Sequence, residues 1–259
     1  MISKNGVVLY RGPSMLDGQP IVVIGVITKE GKANGKTGAL VQTYILVDNV
    51  DPRVAIQTGQ DATICGDCVH RGDKAEGKGR TCYVNIGQGV LIVFKAYMRG
   101  IYAVAADGAA RTAFGRGRKV RLGTYGDPAA VPAYVWQQLL AGAIGQTAYT
   151  HQWRRAPHLR LVAMASVDSA AEDSEAQALG WRTFWVKAPG DDSKRKDQAR
   201  CPASAEAGKK LTCSDCMACN GTGTGRRGSV VIQAHGGTAT MANVRRRFRF
   251  PVVVERLAA

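Results

Sequence analysis

Short hydrophobic runs, many of them rich in valine and isoleucine, recur along the chain between stretches of glycine, lysine, asparagine and aspartate. Residues 20–27 and 39–47 read as strands joined by a polar loop over 29–38. The Gly-, Lys- and Asp-rich stretch 66–80 reads as a loop between cysteines, and 86–99 as a helix whose start Gly87 and Gly89 weaken. From residue 119 the pattern alternates. Strands are predicted at 119–125, 146–152, 159–166 and 181–187, with helices at 130–140 and 169–179. A polar linker over 188–200, a cysteine-rich segment, a strand at 229–235 and a basic tail over 245–257 follow. Strand–helix alternation at this spacing predicts an α/β fold with a mostly parallel sheet, curling into a partial (β/α) barrel. The expected organisation is a barrel-like unit over 1–187, with N-terminal strands and a cysteine loop at 65–82, followed by a cysteine-rich segment, final strand and tail over 188–259.

Composition narrows the function classes. A chain of 259 residues that is 45% hydrophobic can bury a core, which excludes disorder as its overall state. Its apolar runs are too short to cross a bilayer, and the first residues lack the apolar core of a secretory signal, so a cytoplasmic protein without membrane partners is expected. The net charge of +15 favours a polyanionic partner such as nucleic acid or a nucleotide. No phosphate loop carries that partner: Gly115-x-Gly117 precedes a strand, and Gly221-x-Gly223-x-Gly225 lacks the strand–loop–helix context. The two basic runs, 116–121 and 245–249, read as solvated surface with phosphate contact as the alternative.

The seven cysteines cannot all pair internally, and they fall into a set of three and a set of four. Cys201, Cys213, Cys216 and Cys219 read C-P-x10-C-x2-C-x2-C. Zinc ribbons use two separated C-x2-C hooks, whereas a run at three-residue spacing with a remote Cys-Pro suits the separate irons of an iron–sulfur cube. A four-cysteine zinc site is the alternative. Cys65, Cys68 and Cys82 read C-x2-C-x13-C-Y. Three thiolates leave one position of a cluster open to an exogenous ligand, while recruitment of His70 makes a zinc site of three cysteines and one histidine.

Three cysteines after an early strand, the last followed by an aromatic, resemble the cluster loop of radical-SAM enzymes, whose usual spacing is C-x3-C-x2-C. Gly126-Asp127-Pro128, at a strand end, resembles the motif that meets the methionyl amine of S-adenosylmethionine, and Ser166-Val167-Asp168 resembles the strand that approaches the same cofactor. The chain is also similar, over 34–235, to the gene-product-eighty-eight family of phage and prophage proteins. The shared order runs Asn34-Gly35-Lys36-Thr37-Gly38, Cys82-Tyr83, Gly126-Asp127, Tyr149-Thr150-His151-Gln152-Trp153, Ala165-Ser166-Val167-Asp168, Gly180-Trp181-Arg182, then Cys201-Pro202 and the cysteine triplet. These resemblances imply a phage-derived iron–sulfur enzyme with one open three-cysteine and one closed four-cysteine cluster. Gly126, Asp127, Ser166 and Asp168 are then cofactor-binding, and Asp127→Asn is expected to spare folding while weakening the cofactor.

Plainer readings exist for the same residues. Asp127 is also placed to cap a helix begun by Pro128, and Asp168-Ser169 to cap the next one. Tyr149, His151 and Trp153 alternate as one face of a strand, read as packed aromatics rather than a stacking surface. His235, beside Gly236-Gly237, reads as a satisfied loop histidine rather than a catalytic one. The competing function class is a non-catalytic, basic, zinc-binding protein that binds nucleic acid.

Overall fold

The computed structural model describes residues 3–28, 35–73, 76–208, 211–225 and 228–248. Ten strands form one sheet in the order β4-β1-β2-β3-β5-β6-β7-β8-β10-β9. They are β1 (Ser3–Pro13), β2 (Pro20–Ile27), β3 (Val41–Val47), β4 (Tyr102–Val104), β5 (Lys119–Tyr125), β6 (Gly145–Thr150), β7 (Met164–Val167), β8 (Thr183–Lys187), β9 (Gln198–Arg200) and β10 (Ser229–Gln233). Only the β1–β2 and β2–β3 pairs are antiparallel; all other neighbours are parallel. The expected α/β class with a mostly parallel sheet is therefore observed. The sheet does not close into a barrel: its edges are β4 and β9, each of three residues, and short edges limit unwanted pairing.

The central strands are near-continuously apolar because helices and loops cover both faces. Ile21, Val22, Val23 and Ile24 of β2 are all fully buried, as are Val120 and Leu122 of β5. Helices α1 (Pro52–Thr58), α2 (Ala62–Cys65), α3 (Leu91–Met98), α4 (Gly108–Gly115), α5 (Ala133–Ala141), α6 (Ala170–Ala178), α7 (Cys213–Cys216) and α8 (Thr238–Phe248) fill the connections. Among the described residues no helix is long and apolar enough to cross a membrane.

Several expectations need correction. The segment 159–166 is not one strand: a 3-10 turn, Pro157–Leu161, opens on proline, buries Leu159, and leaves only Met164–Val167 extended. No strand is predicted at β1, because charged and glycine residues interrupt it, yet from Gly6 to Pro13 it pairs with β2. The expected linker 188–200 contains β9, and with β10 it extends the sheet beyond β8, so residues 188–259 contribute strands to the same sheet as the rest. The two motifs likened to cofactor-contacting strand ends, Gly126-Asp127-Pro128 and Ser166-Val167-Asp168, fall at β5 and β7, with β6 lying between them. Asn34 of the Asn-x-Lys-Thr-Gly segment, Arg249 of the second basic run, and the tail beyond it lie outside the described residues.

Candidate metal centres on the rim and the face of the sheet

The three-cysteine loop lies across the carboxyl ends of β5, β6 and β7. Helix α2 ends in Cys65, and the Ile64 carbonyl accepts the Asp127 N–H at 2.6 Å. Gln152, just past β6, donates to the Cys65 carbonyl and to Asp67. Asp168, just past β7, pairs with His70. Gly66 makes the C-x2-C turn possible: its φ is +60°, and a Cβ there would stand 2.6 Å from the Gln152 amide. Burial first, and then the neighbouring Cys68 and Cys82, hold the Cys65 thiol well above its ordinary range. Burial likewise raises Cys82.

His70 does not turn to the sulfurs. Its Nδ1 lies 2.8 Å from the Thr81 hydroxyl and its Nε2 2.7 Å from Asp168 Oδ1, so the zinc set of three cysteines and His70 is not assembled. His151 comes beside it instead, ring centroids 5.4 Å apart, with Nε2 3.5 Å from Asp168 Oδ2. Burial opposes ionisation of Asp168, but His151 and His70 outweigh it and hold the carboxyl far below the usual range. Sequence reasoning treated His151 only as a packed aromatic. Strand β6 stops at Thr150, so the alternation breaks there: Tyr149 turns to the second cysteine set, His151 to the first, and Trp153 into the core.

Asp127 performs the capping role. Its carboxylate accepts from Ala129 N at 2.9 Å, Thr150 Oγ1 at 2.7 Å and His151 N at 2.8 Å, joining the ends of β5 and β6. Because Oδ2 faces the His151 N–H, Asp127→Asn either points an amide at a donor there or loses the Thr150 and Ala129 contacts. These contacts argue that the substitution costs stability rather than sparing the fold. Gly126 supplies the positive φ of 81° before this turn. Ser166 is buried within β7, and Ser169, not Asp168, caps α6 by accepting from Glu172 N.

The four-cysteine set lies on a face of the sheet. Thr147 and Tyr149 of β6 and Val230 of β10 line a recess with the four cysteines, of about 320 Å³ with solvent-open space included. Cys201, Cys219, Met164, Ala203, Val230 and Ile232 form a small apolar cluster of their own. Local structure explains the motif order. The Lys36 and Thr37 carbonyls accept from Cys213 N and Ser214 N at the start of α7, and Gly38 (φ +69°) lies so close to Ser214 that no Cβ fits. Buried Arg182 donates to Ala218 O, Asn220 Oδ1, Gly221 O and Gly228 O, clamping the triplet loop onto β8. Burial, with Cys201, Cys213 and Cys216 adding to it, pushes the Cys219 thiol up to about 12, and the Tyr149 hydroxyl hydrogen-bonds it.

One buried cation separates the two sets. Arg121 is 5% exposed, although the sequence placed it in a surface run. It donates to the Tyr83 hydroxyl at 2.6 Å and lies 5.5 Å over the Tyr149 ring, with its Nε unpartnered. Among the described residues no carboxylate pairs with it. Burial would depress this guanidinium, but Tyr83, Tyr149, Cys213 and Cys219 reverse that and raise it. His235 stacks on Tyr83 and meets Lys36 Nζ through Nε2 at 2.5 Å, while its Nδ1 lies 3.0 Å from the Gln233 carbonyl. The carbonyl only accepts, so Nδ1 carries the proton and Nε2 receives from Lys36.

Among the described residues no three cysteine sulfurs lie within 4.8 Å of one another. No family profile, curated protein or solved structure matches this chain.

Proposed function

We propose that this is an iron–sulfur protein of radical-SAM-like organisation. An open three-cysteine cluster sits on the carboxyl rim of a partial barrel, and a closed four-cysteine cluster sits on its face. What supports the reading is the grouping of the cysteines: Cys68 and Cys82 lie near enough to Cys65 to raise its thiol, and Cys201, Cys213, Cys216 and Cys219 line one recess. A cube binds each thiolate to a different iron, which suits the three-residue spacing of the second set. When bound, a cluster with one free iron supplies an electron and a coordination position to an exogenous ligand.

The chain's own residues divide the work. Raised thiol pKa values mean that Cys65, Cys82 and Cys219 give up protons as metal binds. Arg121 supplies positive charge beside the four-thiolate set, and the Tyr149 hydroxyl donates to Cys219 once that sulfur is a thiolate. S-adenosylmethionine is the exogenous ligand proposed for the open corner. Gly126, Asp127, Ser166 and Asp168 are the residues proposed to meet it; Asp127 and Asp168 also hold partners within the chain. The net charge of +15 supports nucleic acid or a nucleotide as the substrate class, in the cytoplasm of a host cell.

Anaerobic purification followed by iron and acid-labile sulfide assays tests the reading. Two cubes require roughly eight of each per chain. Zinc without sulfide overturns it in favour of the zinc-binding alternative. Calorimetry with S-adenosylmethionine on the cluster-loaded protein tests the ligand, and absence of binding heat removes that cofactor from the proposal.

A further inference from the structure

We propose that His70, His151 and Asp168 form a mononuclear site for a first-row divalent cation on the carboxyl rim, beside the three-cysteine loop. The three come from separate elements: His70 from the turn Val69–Arg71, His151 from the end of β6, and Asp168 from the end of β7. Their ligand atoms, two imidazole nitrogens and a carboxylate oxygen, all lie within 4.8 Å of one another. His70 Nε2 is 2.7 Å from Asp168 Oδ1, and His151 Nε2 is 3.5 Å from Oδ2. An ion held at about 2.0–2.2 Å keeps such atoms roughly 3 to 4.4 Å apart. Small side-chain adjustments are enough to close the set around it.

Two further observations point to a ligand. His151 Nε2 is buried and, at 3.5 Å from Asp168, makes no hydrogen bond of normal length. A cation gives that nitrogen a partner. The surrounding contacts fix the set: His70 is held from behind at its second ring nitrogen, as metal-ligating histidines are, and the backbones of the other two are pinned. The Thr81 hydroxyl meets His70 Nδ1 at 2.8 Å, the Asp127 carboxylate accepts the His151 backbone N–H, and Glu172 accepts the Asp168 backbone N–H at 2.8 Å. Three outer residues thus hold the three ligand residues in place.

The donor set names the class of ion. Two imidazoles and one carboxylate suit Mn²⁺, Fe²⁺, Co²⁺ or Zn²⁺, whereas Ca²⁺ and Mg²⁺ prefer all-oxygen shells. Three protein ligands leave positions open for water or for an oxygen of a substrate, the arrangement of a two-histidine, one-carboxylate face. The rival occupant is a proton shared between His70 and Asp168, with no ion at all.

Mn²⁺ separates these cases, because it is a hard ion that thiolates bind poorly. Paramagnetic resonance of free Mn²⁺, titrated with the full-length protein purified anaerobically, should show about one saturable site per chain. His151→Gln and His70→Gln should each weaken it at least tenfold. If either variant fails to fold, as judged by circular dichroism, the other carries the test. No saturable Mn²⁺ binding to the wild type, or undiminished binding in a folded variant, overturns the proposal and leaves a proton-linked triad. The iron and sulfide assays report on the clusters separately, so failure of that reading is distinguishable from failure of this one.

Discussion

The two cysteine sets are built from the same side chain, yet the sheet gives them opposite surroundings. The rim loop sits over strand ends, where successive connections deliver Asp127, His151 and Asp168 to its cysteines. The face set sits inside an apolar cluster, with Arg121 as its buried counter-charge. The carboxyl edge of a parallel sheet collects loops and polar groups, and so suits ligands that come and go. A sheet face collects side chains of alternating residues and suits a closed, permanent centre.

The comparison can be broken at several points, beginning with the largest effect. Cys219→Ser should lose the metal of the face set and destabilise the protein by at least about 4 kcal/mol, because loss of a metal ligand in a buried site is felt by the fold. Chemical denaturation with iron analysis checks this. The corresponding change on the rim, Cys68→Ser, should lose its iron with a much smaller shift in stability. Equal losses would erase the distinction drawn between the sites.

Arg121→Met should change sign with metal content. In metal-free protein burial keeps the Cys219 thiol protonated, and removing a buried guanidinium without a carboxylate partner is expected to be neutral or stabilising. In loaded protein the thiolates lose their counter-charge, and the variant should be about 2–4 kcal/mol less stable. Paired melting curves with and without metal read the crossover, and the same sign in both would refute the counter-charge role.

Asp127→Asn should cost about 1–3 kcal/mol in either state, since the amide cannot satisfy Thr150, Ala129 and the His151 N–H together. No change in urea midpoint would show that the carboxylate's partners are dispensable. The smallest effect is expected at Ser169→Ala, where loss of the α6 cap should cost about 1 kcal/mol, measured by the same urea titration and without effect on either metal set.

Much of the fold was legible because its signals are local. Apolar β-branched runs bounded by glycine and lysine gave β2, β3, β5, β8 and β10 close to their observed bounds. The break at Gly126-Asp127-Pro128 was read with its capping alternative, and that alternative describes the observed hydrogen bonds. Strand β1 was illegible because its extended state depends on pairing with β2 rather than on its own pattern. The stretch 159–166 misled because a short apolar run reads alike as a strand or as a buried turn.

The sequence by itself determined which cysteines group together, since spacing of a few residues limits what a turn can bring to one metal. It also determined the class of the sheet, through hydrophobic runs alternating with helical stretches. Tertiary structure alone decided the rest. It placed Arg121 inside the protein because β5 lies centrally, it split Tyr149 from His151 because β6 ends between them, and it turned His70 from the cysteines towards Asp168, 98 residues away. Contacts across such separations depend on which strands become neighbours. That choice is made by burial of the whole sheet, and no local pattern around His70 or Arg121 encodes it.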